Sequence, residues 1–259
     1  MYVHQLFKIK NNNMETMTGT ALKKTLHKAN SRGQADHGWL KTRLTFSFAG
    51  YHDPNRVHFG VLRVLNDDQI AGGKGFGMHP HDNMEIITIP LEGVVEHRDN
   101  QGNHGIITKG EVQVMSAGTG VYHSEFNHSK EELLKLFQVW LFPNKGNVEP
   151  QYGQMKFDLA AQHNDFQLLV TPIEANIPDT LGIHQDAFFS MGKFEAGQDF
   201  NYKMNIEGNG LYIMVVNGAV ETSGENLELR DGLGLENISE VNFKTKEGVE
   251  LLLMEIPMD

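Results

Sequence analysis

The stretch GMHPHDNME, residues 77–85, sets His79 and His81 on either side of Pro80 and follows glycines at 72, 73, 75 and 77. On an extended strand, residues i and i+2 face the same way, so the two imidazoles point together. Pro80 cannot donate to a sheet ladder and belongs at an edge or a bulge. About forty residues on, GTGVYHSEFN (118–127) repeats the spacing with His123 and Glu125. Two such pairs, facing each other across the mouth of a barrel, make a site of three nitrogens and one carboxylate. That donor set suits Fe, Mn, Ni, Cu or Zn, with at least one position open for water or substrate. A lone HxH is weak evidence, and a solvated or core-satisfied histidine pair explains it better on its own.

The surrounding chain is written in short strands. TFSFAG (45–50), VLRVLN (61–66), MEIITIPLEG (84–93), VVEHRD (94–99), HGIITKG (104–110) and EVQVMS (111–116) are rich in β-branched residues and separated by Gly, Asn and Asp. KLFQVWLF (135–142) reads as a longer apolar strand. The second part continues with QLLVTP (167–172), AFFSMGKFEAG (187–197), LYIMVVNGAVET (211–222), NLELRDGLGLEN (226–237) and VELLLMEIP (249–257). Many short strands with turn signals between them indicate an all-β sandwich or barrel. TALKKTLHKA (20–29) and SKEELL (129–134) are the helix candidates, the first able to run partly as a strand. Asn217-Gly218 in VVNGAV predicts a two-residue hairpin turn. It echoes PLEGVV, 125 residues earlier from Gly93 to Gly218, and hints at two copies of one fold. None of the 13 histidines lies after His184, so the second copy lacks the histidines.

Composition narrows the function. With no cysteine, a metal must be held by nitrogen and oxygen. Net charge is −11, and it is concentrated: residues 1–130 carry 14 Lys/Arg against 12 Asp/Glu, residues 131–259 carry 8 against 21. An acidic half and no basic cluster argue against direct nucleic-acid binding. No apolar run approaches the ~18–20 residues of a membrane span. The first residues, MYVHQLFKIKNNN, have no long apolar segment or small-residue cleavage site, so a cytoplasmic protein is expected. Met14 and Met17 are alternative starts to Met1.

The context of the histidine pairs carries a resemblance. Gly73, His79, His81, Glu85 and Gly93 form one block; Gly110, Ser116, Gly118, His123 and Asn127 form another. They resemble the two motifs of the cupin superfamily, with Ser116 where proline is usual and longer gaps before Gly93 and His123. ADHGWLKTRLTFSFAGYHDP (35–54), RVLNDDQIAGGKGFGMHPHDNMEIITIPLEGVVEHRDNQGN (63–103) and GVYHSEFNHS (120–129) resemble the pirin family, above all its bacterial quercetin dioxygenase-like branch. The resemblance is strong over 35–142 and weak beyond about 155. It implies an all-β bicupin, two jelly-roll β-barrels packed face to face. The expected division is a disorder-prone extension at 1–20, a metal-binding barrel at 21–142, a linker at 143–154 and a barrel without metal at 155–259.

The resemblance further implies one divalent metal, with iron foremost and Mn, Ni, Cu and Zn as alternatives, held by His79, His81, His123 and Glu125. Glu125 would also act as general base. Glu85 stands where many cupins carry their carboxylate ligand and is expected beside the site or on the strand face. Phe76, Met78 and Gln138 are further candidates for the pocket wall or its support. His97, His104 and His128 read as surface or turn histidines, and Asp67-Asp68 as a polar turn. His37 and Trp39 belong to the family-like stretch without an assigned chemistry. The implied activity is cleavage of flavonol-like substrates with O2. A metal-dependent regulator that binds a protein partner, and a cupin isomerase or decarboxylase, are the alternatives.

Overall fold

The structure, a computed structural model, describes residues 21–259. The expected extension at 1–20 lies outside the described residues. Among the described residues the regular structure is all strand apart from three short 3-10 turns. Each half pairs a seven-stranded antiparallel-rich sheet with a four-stranded one, the expected jelly roll, with its two sheets left open at the edges. The helix candidates do not form. Lys23–His27 is a strand, and residues 129–133 are bends in which Ser129 Oγ accepts from the Glu131 and Glu132 amides.

Strand alternation decides what packs where. Along Leu134–Leu141, Phe137, Val139 and Leu141 point one way and Leu134, Leu136, Gln138 and Trp140 the other. The first set joins Ile87, Val114, Val170, Phe189, Tyr212, Leu252 and Met254 in one core, through which the two large sheets pack face to face. The second set faces the inside of the first half. There the apolar core is split into two clusters, one around Ile70, Val95 and Leu136, the other around Ile86, Met115 and Val121. Buried Thr88, Gln113, His97, His123, Glu125 and Gln138 lie on the same strands. The inside of the second half is one continuous apolar cluster, including Leu211, Ile213, Leu251, Leu253 and Phe243.

The two halves exchange a strand. Lys23–His27 pairs with Gly232–Glu236 in the second large sheet, while Gln151–Lys156 pairs with Glu111–Ser116 in the first. Residues 151–154, expected in the linker, are therefore a sheet edge of the first half. Asn217-Gly218 does not make a hairpin. Gly218 ends the strand Gly210–Gly218 of the large sheet, and Val220–Thr222 belongs to the small one. Gly93 does the same between Glu85–Glu92 and Val94–Asp99. Both have positive φ, +81° and +76°, and a Cβ at Gly218 would lie 1.9 Å from the Gly248 carbonyl oxygen. The echo seen in sequence is thus a shared corner that sends the chain from one sheet to the other.

His27 anchors the exchanged strand. It is buried, its Nδ1 lies 2.8 Å from the Tyr212 hydroxyl and its ring meets Phe46 edge-on. Burial, then the Arg56 and Arg32 charges, push its pKa from 6.5 down to about 4. The folded state favours neutral His27, so the stability it contributes is complete above pH 6.5 and is lost as pH falls toward 4. The loss amounts to about 3 kcal/mol at 1.36 kcal/mol per unit. Urea unfolding of the wild type and His27→Gln at pH 7 and pH 4 should show the variant losing less stability on acidification, by about that amount; equal losses would refute the assignment.

Candidate metal centre

Gly75–His81 and Val121–Asn127 are adjacent antiparallel strands of the small sheet, with His79 opposite His123. The histidine pairs are therefore neighbours on one sheet, whereas the sequence suggested strands facing across a mouth. Gly75 permits the close pairing, since a Cβ there would lie 2.2 Å from the Glu125 carbonyl oxygen. Between the His79–His123 and Phe76–Glu125 pairs, the first strand carries one residue more than the second. This bulge breaks the alternation and re-aims side chains, as bulges beside functional sites do. Phe76 thus stands edge-on to His79, with ring centres 6.4 Å apart, while Met78 is 58% exposed.

The bulge also supplies a partner. His79 Nδ1–H donates to the Gly77 carbonyl at 2.7 Å, so Nε2 keeps its lone pair for a ligand. The imidazoles of His79, His81 and His123 converge, with ring centres 4.4 to 4.9 Å apart. Their donor nitrogens lie within 4.8 Å of one another. His81 Nε2 and both nitrogens of His123 are buried without a hydrogen-bond partner. Buried nitrogens are rarely left so. One nitrogen from each of the three converging imidazoles makes a donor set that fits a bound cation.

Electrostatics point the same way. Burial, then His79, lowers the His81 pKa to about 4; burial, then His79 and His81, lowers that of His123 to about 2. Both are held in the neutral form that binds metal. Glu125 is buried and shifts oppositely, to about 7, because its carboxylate is desolvated. Thr88 Oγ1 lies 2.9 Å from Glu125 Oε1, and Gln138 Nε2 donates to Oε2 at 2.5 Å. The four expected ligands do not fall in a single tight group. Glu125 groups with His123 and His97, and His123 is common to both sets.

His97 is the residue sequence reading missed. It is fully buried, its ring centre is 5.3 Å from that of His123, and its Nε2 is 3.2 Å from Asp99 Oδ2. Its Nδ1 is buried and unpartnered. Alternation from buried Val95 through His97 to Asp99 was the available signal. His104 and His128 are exposed and both contact Glu96. Glu85 lies on the opposite face of its sheet. Ile86 and Thr88 face the first half's interior, and Glu85 turns toward the second half, where it accepts from Ser116 Oγ at 2.6 Å. Asp67 and Asp68 are no turn; they sit in the middle of Leu62–Ile70, both buried. Where the first half carries its histidines, the corresponding strands of the second carry Tyr202, Val241 and Phe243, with Phe200 stacked on Phe243.

A family model described as Pirin matches residues 25–141, and one described as Quercetinase C-terminal cupin domain matches 168–256. The chain is 41% identical over 232 residues to quercetin 2,3-dioxygenase of Escherichia coli strain K12, covering 90% of this chain and 98% of that one. The chain belongs to the pirin family. A putative quercetin 2,3-dioxygenase of Pseudomonas aeruginosa is also 41% identical, covering 86% of this chain and 95% of the relative. Among solved structures, a bacterial pirin from E. coli in complex with nickel(II) superposes with a TM-score of 0.85 at 40% identity, over 91% of this chain and 99% of that one. The nickel-bound relative and the His/Glu cluster together support a divalent metal in this pirin. Among the described residues, no helix is long and apolar enough to cross a membrane.

His123→Ala should abolish metal uptake, since His123 belongs to both donor groups. Elemental analysis after metal titration should fall from near one ion per chain to near none, with the far-UV circular dichroism of the wild type retained. Stoichiometric metal in the variant would show that the ion sits elsewhere.

Proposed function

We propose that this pirin is a metal-dependent dioxygenase that cleaves flavonol-like substrates with O2, with His79, His81, His123 and Glu125 holding the metal. The observation that carries the reading is the buried Glu125 carboxyl, grouped with His123, which in turn converges with His79 and His81. Iron is proposed as the resident ion; manganese, nickel, copper and zinc suit the same donors. When bound, the metal supplies a Lewis acid for a hydroxyl-ketone chelate and a route for electrons to O2.

The chain's own part is proton handling. Glu125, buried and held by Thr88 and Gln138, is the base that takes the proton of an acidic enolic hydroxyl. Thr88 Oγ1 lies 2.9 Å from both Glu125 Oε1 and Gln138 Oε1. It has one hydrogen to give. With Glu125 ionised, Thr88 donates to it. With Glu125 protonated at Oε1, Glu125 donates to Thr88, which turns its hydrogen to Gln138. The relay holds either state without leaving the carboxyl unpaired. The overall change places both atoms of O2 in the products, breaks the two ring bonds to the hydroxyl-bearing carbon and releases it as carbon monoxide, leaving a depside.

A second reading is a metal-dependent interaction module without turnover. Met78, Tyr122 and Phe126 favour it, because all three are exposed on the outer face of the ligand-bearing strands. Metal analysis of protein purified without a nickel column, followed by oxygen uptake with quercetin, separates the two. Near one transition metal per chain with O2 consumption and carbon monoxide release is expected. Metal without O2 uptake would replace the dioxygenase by the interaction module or by Lewis-acid cupin chemistry. Thr88→Val should lower kcat about ten- to a hundredfold with KM within about threefold, and Thr88→Ser should restore it. Unchanged kcat in the valine variant would remove the relay from the mechanism.

A further inference from the structure

A cavity of about 590 Å3 lies against the metal centre within the first half. Its walls are aromatic: Trp39, Phe48, Tyr51 and Phe76 all line it. Two of them lead to the centre. Phe76 is edge-on to His79, and Phe48 packs at 90° on Trp140, which packs on His81 at 4.7 Å. One wall is polar and buried. Thr42, Asn66 and Asp68 line the cavity from the paired strands Leu40–Leu44 and Leu62–Ile70, with Thr42 directly opposite Asp68. Asn66 in turn lies opposite Gln138, the residue that holds Glu125.

This wall is short of partners. Thr42 Oγ1, Asn66 Oδ1 and Asp68 Oδ1 are each buried with no hydrogen-bond partner from the protein. Buried oxygens are rarely left unpaired in this way. No Lys or Arg lines the cavity to neutralise Asp68. Burial holds its carboxyl up at about 7, opposed by the nearby Thr42 hydroxyl, which does not meet hydrogen-bond geometry with it, so the carboxyl can accept or donate. Three oxygen sites on one side and π-faces around them describe a pocket for a flat aromatic ring bearing hydroxyl groups. An unsubstituted ring would fill the volume and leave the oxygens unpaired.

We propose that Thr42, Asn66 and Asp68 form a recognition wall for the hydroxyl groups of the substrate ring that is not held at the metal, so that the cavity selects polyhydroxylated over unsubstituted aromatic enols. The proposal rests on the reading of the metal centre as a site for flavonol-like chelates. It assigns the three residues to substrate choice and leaves proton transfer to Glu125.

The test compares quercetin with 3-hydroxyflavone, which keeps the chelating hydroxyl and ketone but lacks the ring hydroxyls. Dissociation constants are measured by fluorescence titration on nickel-loaded protein under argon, where no turnover occurs. The wild type should bind quercetin about ten- to a hundredfold tighter. In Asp68→Ala, and separately in Thr42→Val, checked by circular dichroism for native structure, the preference should shrink at least fivefold while 3-hydroxyflavone affinity stays within about threefold. Equal wild-type affinities, or a preference unchanged in both variants, overturn the wall and leave the chelate reading standing. Binding of neither flavonol overturns the chelate reading and the wall with it. A preference lost in the variants, in protein that consumes no O2 in air, supports the wall while refuting turnover.

Discussion

A carboxyl group buried in a β-sandwich, with no cation among its hydrogen-bond partners, is the constraint around which the first half is built. Glu125 is desolvated on a central strand of the small sheet, and its hydrogen bonds come from two neutral side chains. Neutral donors restrain such a group but cannot offset the cost of its charge. The group then either keeps a proton or acquires a cation. The imidazoles of His81 and His123, held neutral by the same burial, supply further donors for the second option, with His79 converging on them. The raised carboxyl and the lowered histidines are thus one effect of desolvation acting on an acid and on bases.

The cost of this arrangement is visible in the packing. Gln138 and Thr88 occupy inward positions that their sequence neighbours, Leu136 and Ile86, fill with apolar side chains, and the first half's core divides around them. Among the described residues, every buried side-chain atom without a hydrogen-bond partner, except His184 Nε2, belongs to the first half. The second half uses the same fold with one apolar cluster inside, and its buried Glu255 is fully met by Tyr202, Asn205 and the Ile206 amide. Sheet-on-sheet packing and the reciprocal strand exchange join the two, so the apolar half supports a half whose interior is given over to chemistry.

How far the sequence was legible follows from the range of the interactions involved. His79 and His81, and His123 and Glu125, lie two residues apart, and strand geometry alone aims each pair to one side. The sheet corners at Gly93 and Gly218 were visible as an echo, although the Asn-Gly pair pointed to a hairpin. A two-residue turn and a sheet switch make the same local demand for positive φ, and only the long-range pairing of Val220–Thr222 tells them apart. The strand exchange is equally non-local: nothing within Lys23–His27 encodes a partner more than two hundred residues away. Asp67-Asp68 looked like a turn because two adjacent acids rarely sit in a strand core. Asp67 faces Arg32 and Arg230, and Asp68 faces the cavity, so alternation sends them to different environments.

His97 shows why a second layer is harder to read than ligands. Its Nε2–H donates to Asp99, and Asp99 is held by Asn103 through its backbone and side-chain nitrogens. Burial opposes ionisation of Asp99, yet these hydrogen bonds and that from the Gln101 amide keep its pKa below the usual carboxylate range. The imidazole is thereby oriented with its Nδ1 lone pair free within the site's interior. A candidate ligand announces itself by sharing a spacing with another candidate. A residue that shapes the field around the ligands need only share a face with them. Parity along Val94–Asp99 placed His97 inside, but parity carries no information until the neighbour that fixes the inner face is known. In this fold Val95 is that neighbour, and its burial is a property of the assembled sandwich.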